Sequence, residues 1–231
     1  MIIAGGCGAR TAQAVPKQFL TVDDIPVIVY TMKNIQSVEK IDSLVVVGPD
    51  GWQNFIYSYA KQFGVSKLET VVLGGKTRHD SIYNGLKYIN EEGGTDRVCI
   101  FDSNRPMIPR EVIERTIEIA DKCDCSLVVE PSYDSMFISH DENSVEQYTD
   151  RSCLYRGETP ECAKLSDLMD IYEKANAEGI TDLSTASLFL HFGRKVLTTR
   201  GNIKCFKITT AEDFELFKAF LSIKDTTNIK K

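Results

Sequence analysis

The sequence lacks several things, and each absence narrows what the chain does. No apolar stretch is long enough to span a bilayer, which excludes a helical membrane anchor. There is no basic excess. The 27 Lys and Arg residues face 33 Asp and Glu, for a formal net charge of −6, which excludes a general nucleic-acid binder but not a single basic pocket. Cysteine pairs at zinc spacing are missing: Cys123 and Cys125 form a C-x-C with no second pair. The seven cysteines are scattered and odd in number, so the expectation is reduced, mostly buried thiols in a cytoplasmic protein, with neither zinc nor a disulfide framework. No signal peptide is expected ahead of the fold. The first strand begins at Met1 itself, or the natural start lies upstream. Internal repeats and low-complexity segments are absent.

What is present suits one large α/β domain over residues 1–231. Apolar residues make up 42% of the chain and charged residues 26%, enough to bury a core. Continuous apolar runs read as strands at Leu44-Val45-Val46-Val47, Leu68–Leu73, Arg97–Phe101 and Ser126–Val129. Helical stretches lie between and before them, at Pro26–Val38, Trp52–Phe63, His79–Asn90 and Pro109–Lys122. Apolar strands alternating with helices indicate a mostly parallel sheet covered on both faces, a Rossmann-like three-layer sandwich. Residues 134–151 break the pattern. Two short polar strands flank the turn-like His140-Asp141-Glu142-Asn143, which predicts a protruding β-hairpin arm with little core of its own. Helices are expected again at Leu165–Ala177, Asp182–Phe192 and Ala211–Ile223, with a strand around Lys195–Thr199 and a frayed tail from Lys224.

The first twenty residues are the most specific part. A strand, Met1-Ile2-Ile3-Ala4, feeds the turn Gly5-Gly6-Cys7-Gly8-Ala9-Arg10, and Pro16-Lys17-Gln18-Phe19-Leu20 follows. Glycines let backbone amides approach a phosphate closely, and Arg10 and Lys17 add two cations suited to a triphosphate. The turn is not a dinucleotide G-x-G-x-x-G, because Thr11 stands where the last glycine belongs, and it is not a G-x-x-x-x-G-K-[ST] loop. NAD and P-loop chemistry are therefore not expected. A second glycine turn, Gly74-Gly75-Lys76-Thr77-Arg78-His79-Asp80-Ser81, opens a helix. Arg78 and Ser81 either face a base, ribose or phosphate or belong to an ordinary capped helix start, and His79 reads as a surface residue. Phe101-Asp102-Ser103-Asn104-Arg105-Pro106 closes an apolar strand, where ligands bind in open α/β sheets. Asp102 either holds Mg²⁺ or caps the loop as a partner of Arg105.

Taken in order, the blocks AGG-x-G-x-R…PKQFL, GG-x-x-R-x-DS, DSNRP, TDR-x-x-LY…ETP, TDLSTAS and K-ITT-x-ED resemble the cytidylyltransferase family of methylerythritol-phosphate and ribitol-5-phosphate cytidylyltransferases. The resemblance spans nearly the whole chain. It implies CTP as substrate, a divalent cation (Mg²⁺), and a homodimer built through the 134–151 arm. Triphosphate binding would fall to Ala4, Gly5, Gly6, Gly8, Arg10 and Lys17, and the cytidine half to Gly75, Arg78 and Ser81. Asp102 and Arg105 would serve the metal and substrate. Ser135, Thr159 and Thr181 would complete the binding residues. Arg151 would reach into a partner's site, and Lys207 would meet the α-phosphate, with Lys204 as its rival.

This chain departs from the family pattern mainly in the acceptor half. HDAARP is here Phe101-Asp102-Ser103-Asn104-Arg105-Pro106, the lysine of D-T-x-K is Phe137, and Q-T-P-Q is Glu158-Thr159-Pro160-Glu161. Gly48-Pro49-Asp50-Gly51-Trp52 looks closer to the ribitol-phosphate branch. The favoured expectation is transfer of CMP to a polyol phosphate, giving a CDP-alditol for a cell-surface polymer. The isoprenoid-pathway enzyme and a non-catalytic nucleotide-binding relative are the alternatives.

Overall fold

The computed structural model describes residues 1–5 and 15–223. The chain opens on β1 (Ile2–Ile3). A 3-10 turn at Lys17–Phe19 and a small hairpin, β2 (Thr21–Val22) with β3 (Ile25–Pro26), lead into α1 (Val27–Gln36). Next come β4 (Leu44–Gly48), α2 (Gln53–Gln62), β5 (Leu68–Leu73), α3 (Arg78–Glu91), β6 (Arg97–Asp102) and α4 (Arg110–Ile119). After β7 (Cys125–Pro131) stand the two arm strands, β8 (Met136–Ile138) and β9 (Gln147–Thr149). The rest is β10 (Tyr155–Lys164), α5 (Leu165–Glu178), α6 (Thr185–His191), β11 (Val196–Arg200) and α7 (Ala211–Ser222). Gly6, Cys7, Gly8, Ala9, Arg10 and Thr11, and the tail from Lys224, lie outside the described residues.

Seven strands form one sheet in the order β11-β7-β10-β6-β1-β4-β5. Every pairing is parallel except those of β10, which runs antiparallel to both β6 and β7. Side chains alternate across it as a pleat requires. Ile2, Val46 and Phe101 pack beneath α1, α2 and α4 with Ile28, Met32, Ile35, Ile56 and Ile113. Their neighbours Ile3, Val47 and Ile100 pack on the opposite face with Ile82, Leu86, Leu168, Ile171 and Phe189 of α3, α5 and α6. The expected three-layer α/β sandwich with a mostly parallel sheet is therefore present. A third cluster seats α7 on α1 through Val27, Ile208 and Phe217. The arm is as expected in shape: Met136, Phe137 and Ile138 pair with Thr149, Tyr148 and Gln147. All three β8 residues are exposed, so the arm contributes no core of its own.

Several expectations need correction. The ten-residue β10, the longest strand, did not read as a strand, because Gly157, Pro160 and two glutamates interrupt its apolar pattern. It accommodates them at an irregularity between Glu158 and Glu161, the kind of position where a sheet tolerates proline. The same strand overturns the expectation of reduced cysteines. Antiparallel register sets Cys162 directly opposite Cys99, Cα to Cα 4.1 Å, and the two form a disulfide. Cys123, Cys125, Cys153 and Cys205 are free thiols. His79 is not at the surface: it is 2% exposed, its Nε2 lies 2.9 Å from Asn176 Oδ1, and its ring packs on Tyr172. α6 starts at Thr185 rather than Asp182, because Ser184 supplies the cap by accepting from the Ser187 amide.

Candidate active site

Gly5, just past β1, and the glycine turn that follows β5 pack against one another at the carboxyl ends of those strands. A Cβ on Gly5 would lie 3.1 Å from Ser81 Oγ, and one on Gly74 would lie 3.1 Å from the same oxygen and 3.3 Å from the Gly48 carbonyl. A Cβ on Gly75 would run into Asp80. Bare backbone is therefore a packing requirement here, and it leaves main-chain groups at the strand edge. Ser81, buried on the first turn of α3, accepts from the Gly75 amide at 3.0 Å and donates to the Thr77 carbonyl at 2.9 Å. Thr77 caps α3 in a reciprocal box with Asp80, which fixes the helix start and thus the base of Arg78. The segment bearing Lys17 is tied to the same edge. Gln18 donates from Nε2 to the Ala4 carbonyl at 2.6 Å, and Phe19 stacks on Trp52 with ring centroids 4.0 Å apart.

Asp102, at the end of β6, is the centre of a charged cluster. Its Oδ2 is 3.0 Å from Lys207 Nζ and 3.2 Å from Arg105 Nε, and its Oδ1 is 3.4 Å from Arg78 Nη2. Its amide donates to Thr159 Oγ1 on β10 at 3.2 Å. Burial alone would push the Asp102 carboxyl up, but Lys207, Arg78 and Arg105 outweigh it and hold the group well below the usual carboxylate range. Burial likewise works against the Arg78 cation, and Asp102 and Glu161 keep it firmly protonated. Arg105, 7% exposed, also donates to the Cys205 carbonyl at 2.5 Å and faces Glu158 at 3.7 Å. Arg156 grips Glu158 with Nε and Nη2 at 3.2 and 3.1 Å. Glu158 is buried, which raises its pKa, although Arg105 and Arg156 pull it back. Glu130, opposite Arg156 on β7, adds a further carboxylate beside Glu158, while Lys207, Arg105 and Arg78 converge on the single carboxylate of Asp102.

Of the two late lysines, Lys207 is the one that lies at Asp102, and Asn104 places it there. Asn104 donates from Nδ2 to the Ile208 carbonyl at 2.7 Å and accepts the Ile208 amide on its own carbonyl at 2.9 Å. That two-bond clamp lays the segment before α7 along the Asp102 loop and brings Lys207 to the carboxylate. Lys204 is exposed and lines a separate cavity of about 520 Å³ with Tyr30, Met107, Phe217 and Leu221.

Of the expected site residues, Gly5, Gly75, Arg78, Ser81, Asp102, Arg105, Thr159 and Lys207 come together, with Ala4 and Lys17 at the adjoining edge. Ser135 and Thr181 are exposed, the first ahead of β8 and the second in the loop before α6. Arg151 is exposed at the base of the arm, where its Nη1 donates to the Tyr133 carbonyl at 2.5 Å. Within one subunit it stays out of the cluster. Gly6, Gly8 and Arg10 lie outside the described residues. Sequence reasoning missed Glu161, Glu158 and Asn104 as parts of the site. Their departure from the Q-T-P-Q and HDAARP patterns marked the positions but not the partners that each one holds.

No three His, Cys, Asp or Glu side chains sit together as a metal-binding group among the described residues. Asp102 is an ionised carboxylate of the kind Mg²⁺ takes together with substrate phosphates and water, but Lys207, Arg105 and Arg78 occupy both of its oxygens, so a metal there would have to displace one of them. No helix among the described residues is long and apolar enough to cross a membrane.

Comparison with known proteins identifies the family. Residues 1–223 match the family model described as IspD, 2-C-methyl-D-erythritol 4-phosphate cytidylyltransferase. Ribitol-5-phosphate cytidylyltransferase of Lacticaseibacillus paracasei is 31% identical, with 97% of this chain and 98% of that protein aligned. 2-C-methyl-D-erythritol 4-phosphate cytidylyltransferase of Geotalea uraniireducens is 32% identical over 96% of this chain and 95% of its own. The crystal structure of 4-diphosphocytidyl-2C-methyl-D-erythritol synthase from Anaerococcus prevotii superposes with a TM-score of 0.82 at 26% identity, covering 95% of this chain and 93% of that one. This similarity over nearly the whole length shows that the chain belongs to the IspD family of CTP-using cytidylyltransferases.

Proposed function

We propose that this enzyme transfers CMP from CTP to the phosphate of a polyol, with ribitol 5-phosphate as the favoured acceptor. The observation that supports it most is the gathering of Lys207, Arg105 and Arg78 around Asp102 at the strand edge that also bears Gly5 and Gly75. The full-length similarity to relatives named for ribitol 5-phosphate supports the choice of acceptor. A second reading, 2-C-methylerythritol 4-phosphate as acceptor, is favoured by the family model and by the 32% identical relative.

In the proposed reaction a phosphate oxygen of the acceptor attacks the α-phosphorus of CTP. A P–O bond forms there as the bond to the β-phosphate breaks, and the electron pair leaves with pyrophosphate. The nucleophile is already an anion near neutral pH, so no general base is required, and positioning and charge neutralisation supply the rate. Lys17 and Arg10 would neutralise the triphosphate while Lys207 meets the α-phosphate. Gly75, Arg78 and Ser81 would hold the cytidine half. Thr159, with Ser135 and Thr181, would line the acceptor side. When Mg²⁺ is bound, Asp102 would hold it, and the metal would offset triphosphate charge.

The enzyme would work in the cytoplasm as a homodimer, a single domain whose 134–151 arm crosses to the partner. The exposed Met136, Phe137, Ile138, Val145 and Tyr148 support an arm that packs on something, because a hairpin this small is marginal alone. Arg151, exposed at the arm's base, would reach the partner's acceptor phosphate, where its fork suits that anion. The product would be a CDP-alditol for a cell-surface polymer. Pyrophosphate release from CTP across a panel of polyol phosphates tests the reading. Release with ribitol 5-phosphate supports it, and release only with 2-C-methylerythritol 4-phosphate supports the second reading.

A further inference from the structure

We infer that Glu161 is a positioning residue that sets Arg78 for CTP. Glu161 lies on β10 and is 3% exposed. Its two carboxylate oxygens have different partners, a backbone amide and a guanidinium. Oε1 accepts the Ala186 amide, in the first turn of α6, at 2.8 Å. Oε2 is 3.5 Å from Nη2 of Arg78, the first residue of α3. This buried carboxylate is satisfied by one backbone amide and one guanidinium. The strut therefore joins the α3 turn, with its Gly75 and Ser81 cradle, to the α6 turn that follows Thr181.

The geometry around Arg78 gives this strut a specific consequence. Nη2 alone is shared between Asp102 Oδ1 at 3.4 Å and Glu161 Oε2 at 3.5 Å. Neither contact is tight, and the Arg78 side chain is 36% exposed. One carboxylate would leave the guanidinium free to swing about that single contact. Two carboxylates on different strands define its direction before any ligand arrives, so less side-chain freedom is lost on binding. The charge of Glu161 matters separately from its hydrogen bond. An amide in its place would still accept the Ala186 amide but would not attract the guanidinium.

This inference rests on the proposal that Arg78 contacts CTP, and the test separates the two. Glu161→Gln keeps the shape and the Ala186 hydrogen bond while removing the charge. Its thermal midpoint is expected to stay within about 2 °C of wild type, and its kcat within about threefold. The KM for CTP is expected to rise about three- to tenfold, with the acceptor KM unchanged. In Arg78→Gln, adding Glu161→Gln should change the CTP KM no further, since the partner is already gone. A wild-type CTP KM in Glu161→Gln, or full additivity in the double variant, would overturn the inference. A readout without nucleotide is the rate of phenylglyoxal modification at Arg78, followed by peptide mass spectrometry. Release of the guanidinium predicts a several-fold faster rate in Glu161→Gln, and an equal rate overturns the inference even if the protein binds no CTP. Wild-type protein that binds no CTP, together with faster Arg78 modification in the variant, would instead remove the functional reading and leave the strut standing.

Discussion

Replacing Lys207 by alanine separates what the lysine does for the fold from what it does for the reaction. Lys207 Nζ stands 3.0 Å from Asp102 Oδ2. Two unit charges at that distance attract by about 5.5 kcal/mol at an effective dielectric constant near 20. Most of that is not available as stability. The Lys207 side chain is 41% exposed, so solvent screens the pair, and ordering the lysine costs side-chain entropy. Arg78 and Arg105 remain on the carboxylate, so Asp102 is not left as an unpaired buried charge. About 1–2 kcal/mol remains, which lowers the thermal midpoint by about 3–6 °C in a chain of this size. The effect on turnover is expected to be larger. In the proposed role Lys207 meets the α-phosphate and offsets its developing charge, so its loss is expected to cost about 10²–10³ in kcat. Pyrophosphate release measured beside a thermal melt gives both quantities. Lys204→Ala is the control, because that side chain is exposed on a different cavity, and it should stay within about threefold of wild type. A Lys204→Ala defect larger than that of Lys207→Ala would show that the Asn104–Ile208 clamp presents the wrong lysine.

Two other expectations concern pH and assembly. Asp102 has a folded-state pKa below the ordinary carboxylate value of about 3.9. Its contribution is thus complete above that value and disappears as pH falls through the lower folded-state one. Urea midpoints between pH 6 and pH 3 should fall more steeply for wild type than for Asp102→Asn, and parallel curves would contradict the cluster's electrostatics. For assembly, Arg151→Ala and Lys17→Ala should each be inactive alone and recover activity when mixed. One site of the heterodimer then holds both lesions and the other holds none. A monomer in solution, or a mixture that stays inactive after subunit exchange is demonstrated, would remove the shared site.

Where the sequence was legible, one physical signal dominated locally. Val45, Val46 and Val47 could only be a strand buried on both faces, and a threonine pair followed by Glu212 and Asp213 marked the start of α7, where the structure shows Thr210 as the cap. β10 was not legible because its stability comes from two neighbours distant in sequence rather than from its own pattern. With Gly157, Pro160, Glu158 and Glu161, its local propensity argues for a loop. The Cys99–Cys162 disulfide was hidden with it, since only the β10 register brings the two sulfurs together. His79 misled for the same reason: its burial depends on Tyr172 and Asn176 of α5, about a hundred residues later. In the site, the residues held by glycine turns and strand ends were legible from motif order. The long-range struts were not, because an isolated Glu161 or Asn104 carries no local mark of the helix start or backbone segment it holds.

The most direct test of the central proposal is the specificity constant for pyrophosphate release from CTP, measured with ribitol 5-phosphate, 2-C-methylerythritol 4-phosphate and other polyol phosphates at equal concentrations. Ribitol 5-phosphate is expected to give the highest kcat/KM, by at least about tenfold over the methylerythritol compound. A preference for 2-C-methylerythritol 4-phosphate, or no pyrophosphate with any acceptor, would contradict it.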